Sequence, residues 1–159
     1  MRVPVTINGS VRVLEVRAGD TLLEALRDNG YTSVKDGCAN GDCGACSVLI
    51  DGRAVTSCLV FAAAIKGHEV TTVDALAGED GTLHPLQQAL LDAAGVQCGF
   101  CIPGIALTAL DLLARHPHPT RGQIESFLAG NLCRCTGYVK QIEAIERYAA
   151  MEEEDVGAH

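Results

Sequence analysis

The sequence has no tryptophan, and phenylalanine and tyrosine bring the aromatic share to only 4 % of 159 residues. Stacking platforms for nucleic-acid bases are therefore scarce. Positive charge is also in short supply. Twelve Lys and Arg against 20 Asp and Glu leave a formal charge of −8, which argues against a nucleic-acid partner. Although 48 % of the chain is hydrophobic, it lacks any run of roughly 18 uninterrupted apolar residues, so no membrane span is expected. The first residues alternate in character instead of forming a basic start and an apolar stretch, and there is no twin-arginine pair. The expected location is the cytoplasm. No Gly-rich dinucleotide fingerprint is present, and no acid, base or nucleophile stands in a catalytic arrangement. His68, His84, His116, His118 and His159 form no ligand pattern; His116 and His118, each followed by proline, read as surface loop residues.

What the chain does have is cysteine. Its eight cysteines fall into two quartets with none left over: Cys38, Cys43, Cys46 and Cys58, spaced C-x4-C-x2-C-x11-C, and Cys98, Cys101, Cys133 and Cys135, spaced C-x2-C-x31-C-x-C. The first three positions match the plant-type pattern for a [2Fe–2S] cluster. Four disulfides would need an oxidising compartment and fit a small, loop-rich secreted chain, for which the N-terminus offers no signal. Zinc is the stronger rival, but its sites usually draw on two C-x2-4-C knuckles. The first quartet has one knuckle, Cys43 and Cys46, and then a lone Cys58. The stretch from Gly37 to Cys46 also holds Gly41 and Gly44, so this loop can wrap closely around something larger than one ion and turn backbone N–H groups toward sulfur.

The rest of the chain reads as two halves, giving an α+β fold. Residues 1–75 carry strand and turn signals. Val3, Val5 and Ile7 alternate, Asn8-Gly9 supplies a hairpin turn, and Val11, Val13 and Val16 continue the return strand. Asp20-Thr21 opens a short helix closing near Asn29-Gly30, and Asp51-Gly52 marks a second hairpin. Residues 76–83 form a connector that overlaps the acidic, Gly-containing stretch Asp74 to Thr82. Residues 84–159 are helical: Leu83 to Ala94, a helix with Pro103 at its first position ending at His116-Pro117, a helix capped by Thr120 and Gln123, and a last helix from Tyr138 to Met151. Four such helices suggest a bundle. The run Glu152-Glu153-Glu154-Asp155 reads as a solvated, frayed end. On this map each pair of the second quartet precedes a helix N-terminus, where negative charge is favoured.

The segments Gly37 to Ser47, Gln97 to Gly104 and Gly130 to Tyr138 together resemble the iron–sulfur subunit of molybdenum hydroxylases, the xanthine oxidase family, in its bacterial three-subunit form. The resemblance covers about residues 3–150; one departure is Ile102, where many members carry threonine. It implies an N-terminal β-grasp ferredoxin-like domain and a C-terminal four-helix-bundle domain, each holding a [2Fe–2S] cluster on one quartet. It further implies a large subunit with the molybdopterin cofactor, a medium subunit with FAD, and a dimer of heterotrimers. The chain would pass single electrons between those two sites and hold no catalytic residue of its own. Gln97 matches a position that contacts the pterin, with Cys135 close by. Arg134, between two ligands, would raise a cluster's potential or pair with a partner subunit. A free, soluble two-cluster carrier is the alternative, against which the second domain argues.

Overall fold

In the computed structural model the chain is described from Met1 to Val156, with side chains as far as Met151. The first half is a five-stranded mixed sheet with one helix over it. Strand β1 (Arg2–Ile7) turns at Asn8 and Gly9, both with positive φ, into β2 (Ser10–Glu15). This is the two-residue turn whose twist matches the strands it joins. Pairing of Val3 with Leu14 puts both in the core, and the alternation then sends Val11 and Val13 to solvent. The return strand therefore buries Leu14 and Val16, not its first two valines.

Helix α1 (Leu22–Asp28) begins at a capping box in which Thr21 and Glu24 satisfy each other's backbone N–H groups. Its apolar face, Leu22, Leu23, Ala25 and Leu26, is buried on the sheet. Strands β3 (Ser47–Ile50) and β4 (Arg53–Thr56) form the second hairpin, turned by Asp51 and Gly52. Strand β5 (Glu69–Thr71) pairs parallel to β1 and antiparallel to β3, so the order is β2-β1-β5-β3-β4.

The second half comprises α2 (Pro85–Asp92), α3 (Ile102–Arg115), α4 (Arg121–Leu128) and α5 (Val139–Val156) around Leu90, Ile105, Leu112, Ile124 and Ile145. Among the described residues no helix is long and apolar enough to cross a membrane. The boundaries of α2, α3 and α5 differ from the sequence pattern; α2 runs from Pro85 to Asp92 rather than from Leu83 to Ala94. Helix α3 starts one residue before Pro103, which then takes the second helical position; its missing N–H is harmless anywhere in that first turn. Tyr138, with φ of 68°, lies outside α5. The backbone of α5 continues to Val156, so the acidic run starts as helix; its side chains lie outside the described ones. Val73 and Leu76, at the end of the sheet half, already pack on the helical core.

The two halves are joined by a buried carboxylate. Asp111 on α3 is 2 % exposed and accepts the Ala54 N–H of β4 at 2.9 Å. Arg115 grips it from the next turn of α3, with its Nε at 2.6 Å and a second bond from Nη2. Arg53 adds a second cationic group at 3.5 Å. A lone buried carboxylate would be costly; one held by two guanidinium groups and a backbone donor is compensated.

Candidate metal centres

The first quartet occupies the loop between α1 and β3 and the turn after β4. A Cβ on Gly37 would lie 2.8 Å from Cys43 Sγ, so glycine there lets the sulfur in. Cys38 is surrounded by backbone N–H groups of Asn40, Cys43 and Asp42, which bring its thiol down to about 7. Cys43, whose N–H reaches Cys38 Sγ at 3.4 Å, is pushed up by burial. Cys46 and Cys58 are buried at 2 % and 5 % exposure. Burial, then the neighbouring Cys46 thiol, raises Cys58 to about 11. Ser57 locks this side by donating its hydroxyl to the Cys46 carbonyl at 2.7 Å.

The second quartet lies between the start of α3 and the turn before α5. Cys101 is the N-cap of α3 and is buried, which together with the adjacent Cys133 pushes its thiol up to about 11. Burial also acts upward on Cys133, but the Thr136 hydroxyl at 3.1 Å and the N–H groups of Cys135 and Thr136 outweigh it and bring Cys133 down to about 7. Cys98 and Cys135 are exposed, with their Sγ atoms 3.6 Å apart; that contact raises Cys135. Gln97, also exposed, donates to the Cys135 carbonyl at 3.2 Å, so it shares an outer edge with these two cysteines. Arg134 is exposed between them and Cys133.

Each quartet thus resolves into two neighbouring pairs: Cys38 with Cys43, Cys46 with Cys58, Cys98 with Cys135, and Cys101 with Cys133. Among the described residues no three or more His, Cys, Asp or Glu side chains converge closely enough to hold a single metal ion. A tetrahedral zinc site needs such convergence, with sulfur about 2.3 Å from the metal. A two-iron cluster needs four thiolates spread around a larger body, and the paired donor sets fit that group.

The two centres abut. Leu132 donates its N–H to the Cys43 carbonyl at 2.8 Å, and buried Asn131 donates its side-chain amide to the Gly44 carbonyl at 3.1 Å. A Cβ on Gly104 would fall 2.3 Å from that same carbonyl, so the start of α3 closes on the first loop only through glycine. Three polar residues with structural weight carried no role in the sequence pattern: Asn131, Asp111 and Gln141. A signal existed for the last, because Gln141 shares the stripe of Ala144, Ile145 and Tyr148 on α5, all buried.

Known proteins share this sequence pattern and fold. Residues 5–77 match a family described as a 2Fe-2S iron-sulfur cluster binding domain, and residues 72–146 match one described as a [2Fe-2S] binding domain. The chain is 46 % identical to the small FeS subunit of nicotinate dehydrogenase from Eubacterium barkeri, over 90 % of each chain. It is 47 % identical to the xanthine dehydrogenase iron-sulfur-binding subunit of Escherichia coli O157:H7, over 84 % of each. Its fold superposes on quinoline 2-oxidoreductase from Pseudomonas putida 86 with a TM-score of 0.92 and 42 % identity, covering 100 % of this chain and 98 % of that one.

Proposed function

Because the chain belongs to the iron–sulfur subunits of the molybdenum hydroxylases, the xanthine oxidase family, we propose that it is the electron-transfer subunit of such an enzyme. Its place is between a molybdopterin site in a large subunit and FAD in a medium subunit, in a dimer of heterotrimers in the cytoplasm. Residues 1–75 form one cluster domain and 84–159 the other, joined by 76–83. The observation that carries this reading is the seam at Cys43 and Leu132, which sets two four-cysteine centres side by side. A free soluble carrier is less well supported, because a plant-type ferredoxin needs only the sheet half.

Cys38, Cys43, Cys46 and Cys58 would hold one [2Fe–2S] cluster, and Cys98, Cys101, Cys133 and Cys135 the other. Each cluster, when bound, supplies a centre that takes up and releases one electron. The chain's own residues provide the rest. Cys58 and Cys101, protonated in the free chain, give up their protons on metal binding. Backbone N–H groups around Cys38 and Cys133 stabilise thiolate charge. The exposed edge of Gln97, Cys98 and Cys135 is the face we assign to the pterin-bearing subunit, with Gln97 as the contact. Substrate chemistry belongs to the partners.

The test is Cys135→Ala in the assembled enzyme, followed by rapid-mixing spectroscopy. Substrate should still reduce molybdenum, while FAD reduction and turnover with an external acceptor should fall steeply. FAD reduction at the wild-type rate would place the electron path elsewhere.

A further inference from the structure

Gln141 stands in the first turn of α5 and is wholly buried, at 0 % exposure. Its side-chain nitrogen donates to the Gly95 carbonyl at 3.0 Å and lies 3.7 Å from Cys101 Sγ and 3.9 Å from Cys133 Sγ, within reach for the larger sulfur atom. The opposite amide orientation would set its oxygen against the Gly95 carbonyl, acceptor to acceptor, so the nitrogen faces the sulfurs. One N–H serves Gly95; the other points into the gap between the two cysteines. The amide oxygen pays for this arrangement, being buried with no hydrogen-bond partner among the described residues. Space for the side chain is also provided. A Cβ on Gly95 would come within 3.3 Å of both Gln141 Cγ and Gln141 N, so the end of the α2 segment yields to α5 here.

An apolar residue at 141 would fill the same stripe without an orphaned oxygen. What glutamine adds is an N–H directed at one thiol pair of the helical half and not at Cys98 and Cys135. One-electron reduction of a thiolate-held centre adds one negative charge, and a hydrogen-bond donor to the ligating sulfurs favours the more negative state. We propose that Gln141 is a positioning residue that raises the reduction potential of the helical-half centre by hydrogen bonding to Cys101 and Cys133. This rests on the reading of that quartet as cluster ligands.

The test is a redox titration of the assembled enzyme and its Gln141→Met and Gln141→Leu variants, followed by electron paramagnetic resonance. At a fixed poise, the reduced-to-oxidised ratio of the helical-half signal should fall about tenfold, which is 59 mV for a one-electron couple. The sheet-half signal should not move. An unchanged helical-half potential in a fully loaded variant overturns the proposal. If both variants lose that cluster, pulsed resonance on wild-type enzyme labelled with 15N-glutamine decides. A coupling to the reduced helical-half centre that persists in Gln97→Met supports Gln141 as donor, and its absence rules it out. Failure of the underlying reading has its own signature, namely wild-type enzyme with only one spectroscopically detectable cluster in this chain.

Discussion

Leu132 and Cys43 share a 2.8 Å backbone hydrogen bond, N–H to carbonyl, and each is next to or is itself a member of a different cysteine quartet. Cys133 follows Leu132 directly. One route from one quartet to the other thus crosses a single backbone hydrogen bond, with no side chain intervening. Asn131 and Gly104 keep that seam closed.

Asn131→Ala removes the amide donor to Gly44 and should lower stability by about 1 kcal/mol, since Ser47 still donates to that carbonyl. Gly104→Ala should cost more, about 3 kcal/mol, because the added carbon meets backbone and cannot be relieved by a rotamer change. Thermal unfolding of the loaded protein gives the order. Both variants should also weaken the magnetic interaction between the two reduced clusters.

Iron and sulfide analysis should find four irons, two for each quartet. Cys43→Ser should alter one resonance signal and spare most of the other, because the pairs lie in different halves. Stoichiometric zinc, or mapped disulfides, would contradict the assignment.

Asp111→Ala should destabilise the chain by about 2 kcal/mol through loss of charge-assisted bonds and an unpaired Ala54 N–H. Arg115, one-third exposed, can return to water, which keeps the loss below that of a fully buried pair. Denaturant midpoints measure it.

Hairpins, helices and the cysteine loops were legible in the sequence because each is encoded locally: Asn8-Gly9 and Asp51-Gly52 by positive φ, Thr120 with Gln123 by reciprocal capping. The place of β5 was not, since nothing local tells a three-residue strand to insert between β1 and β3. The inward face of β2 was hidden by valines on the wrong parity, and only its pairing with β1 decides it. The cysteine quartets were visible by spacing, but their division into pairs and the roles of Asp111 and Gln141 needed the fold. A polar residue on a helix reads as exposed until its stripe is known to be buried.

Acid should loosen the sheet half. Glu24 is held below the ordinary carboxylate range by the Thr21 N–H and hydroxyl, and Asp51 by the Glu69 N–H and the His68 ring. A carboxyl depressed in the folded state contributes stability that is complete above its unfolded pKa and disappears as pH falls through the folded one. Unfolding free energy should thus be level near neutrality and decline below about pH 4. Glu24→Gln should remove part of that slope by lowering stability at pH 7 while leaving it nearly unchanged at the acid end, as measured by urea titration across pH.

The central position of β5 governs what a growing chain can do on the ribosome. Strand β5 is last in sequence in the sheet but lies between β1 and β3. Until Thr71 has left the exit tunnel the two hairpins have no shared strand and the sheet cannot close. All four cysteines of the first quartet are made before that moment. The nascent chain therefore presents them to the cell as open thiols on an unfinished scaffold, and closure of the sheet comes only afterwards.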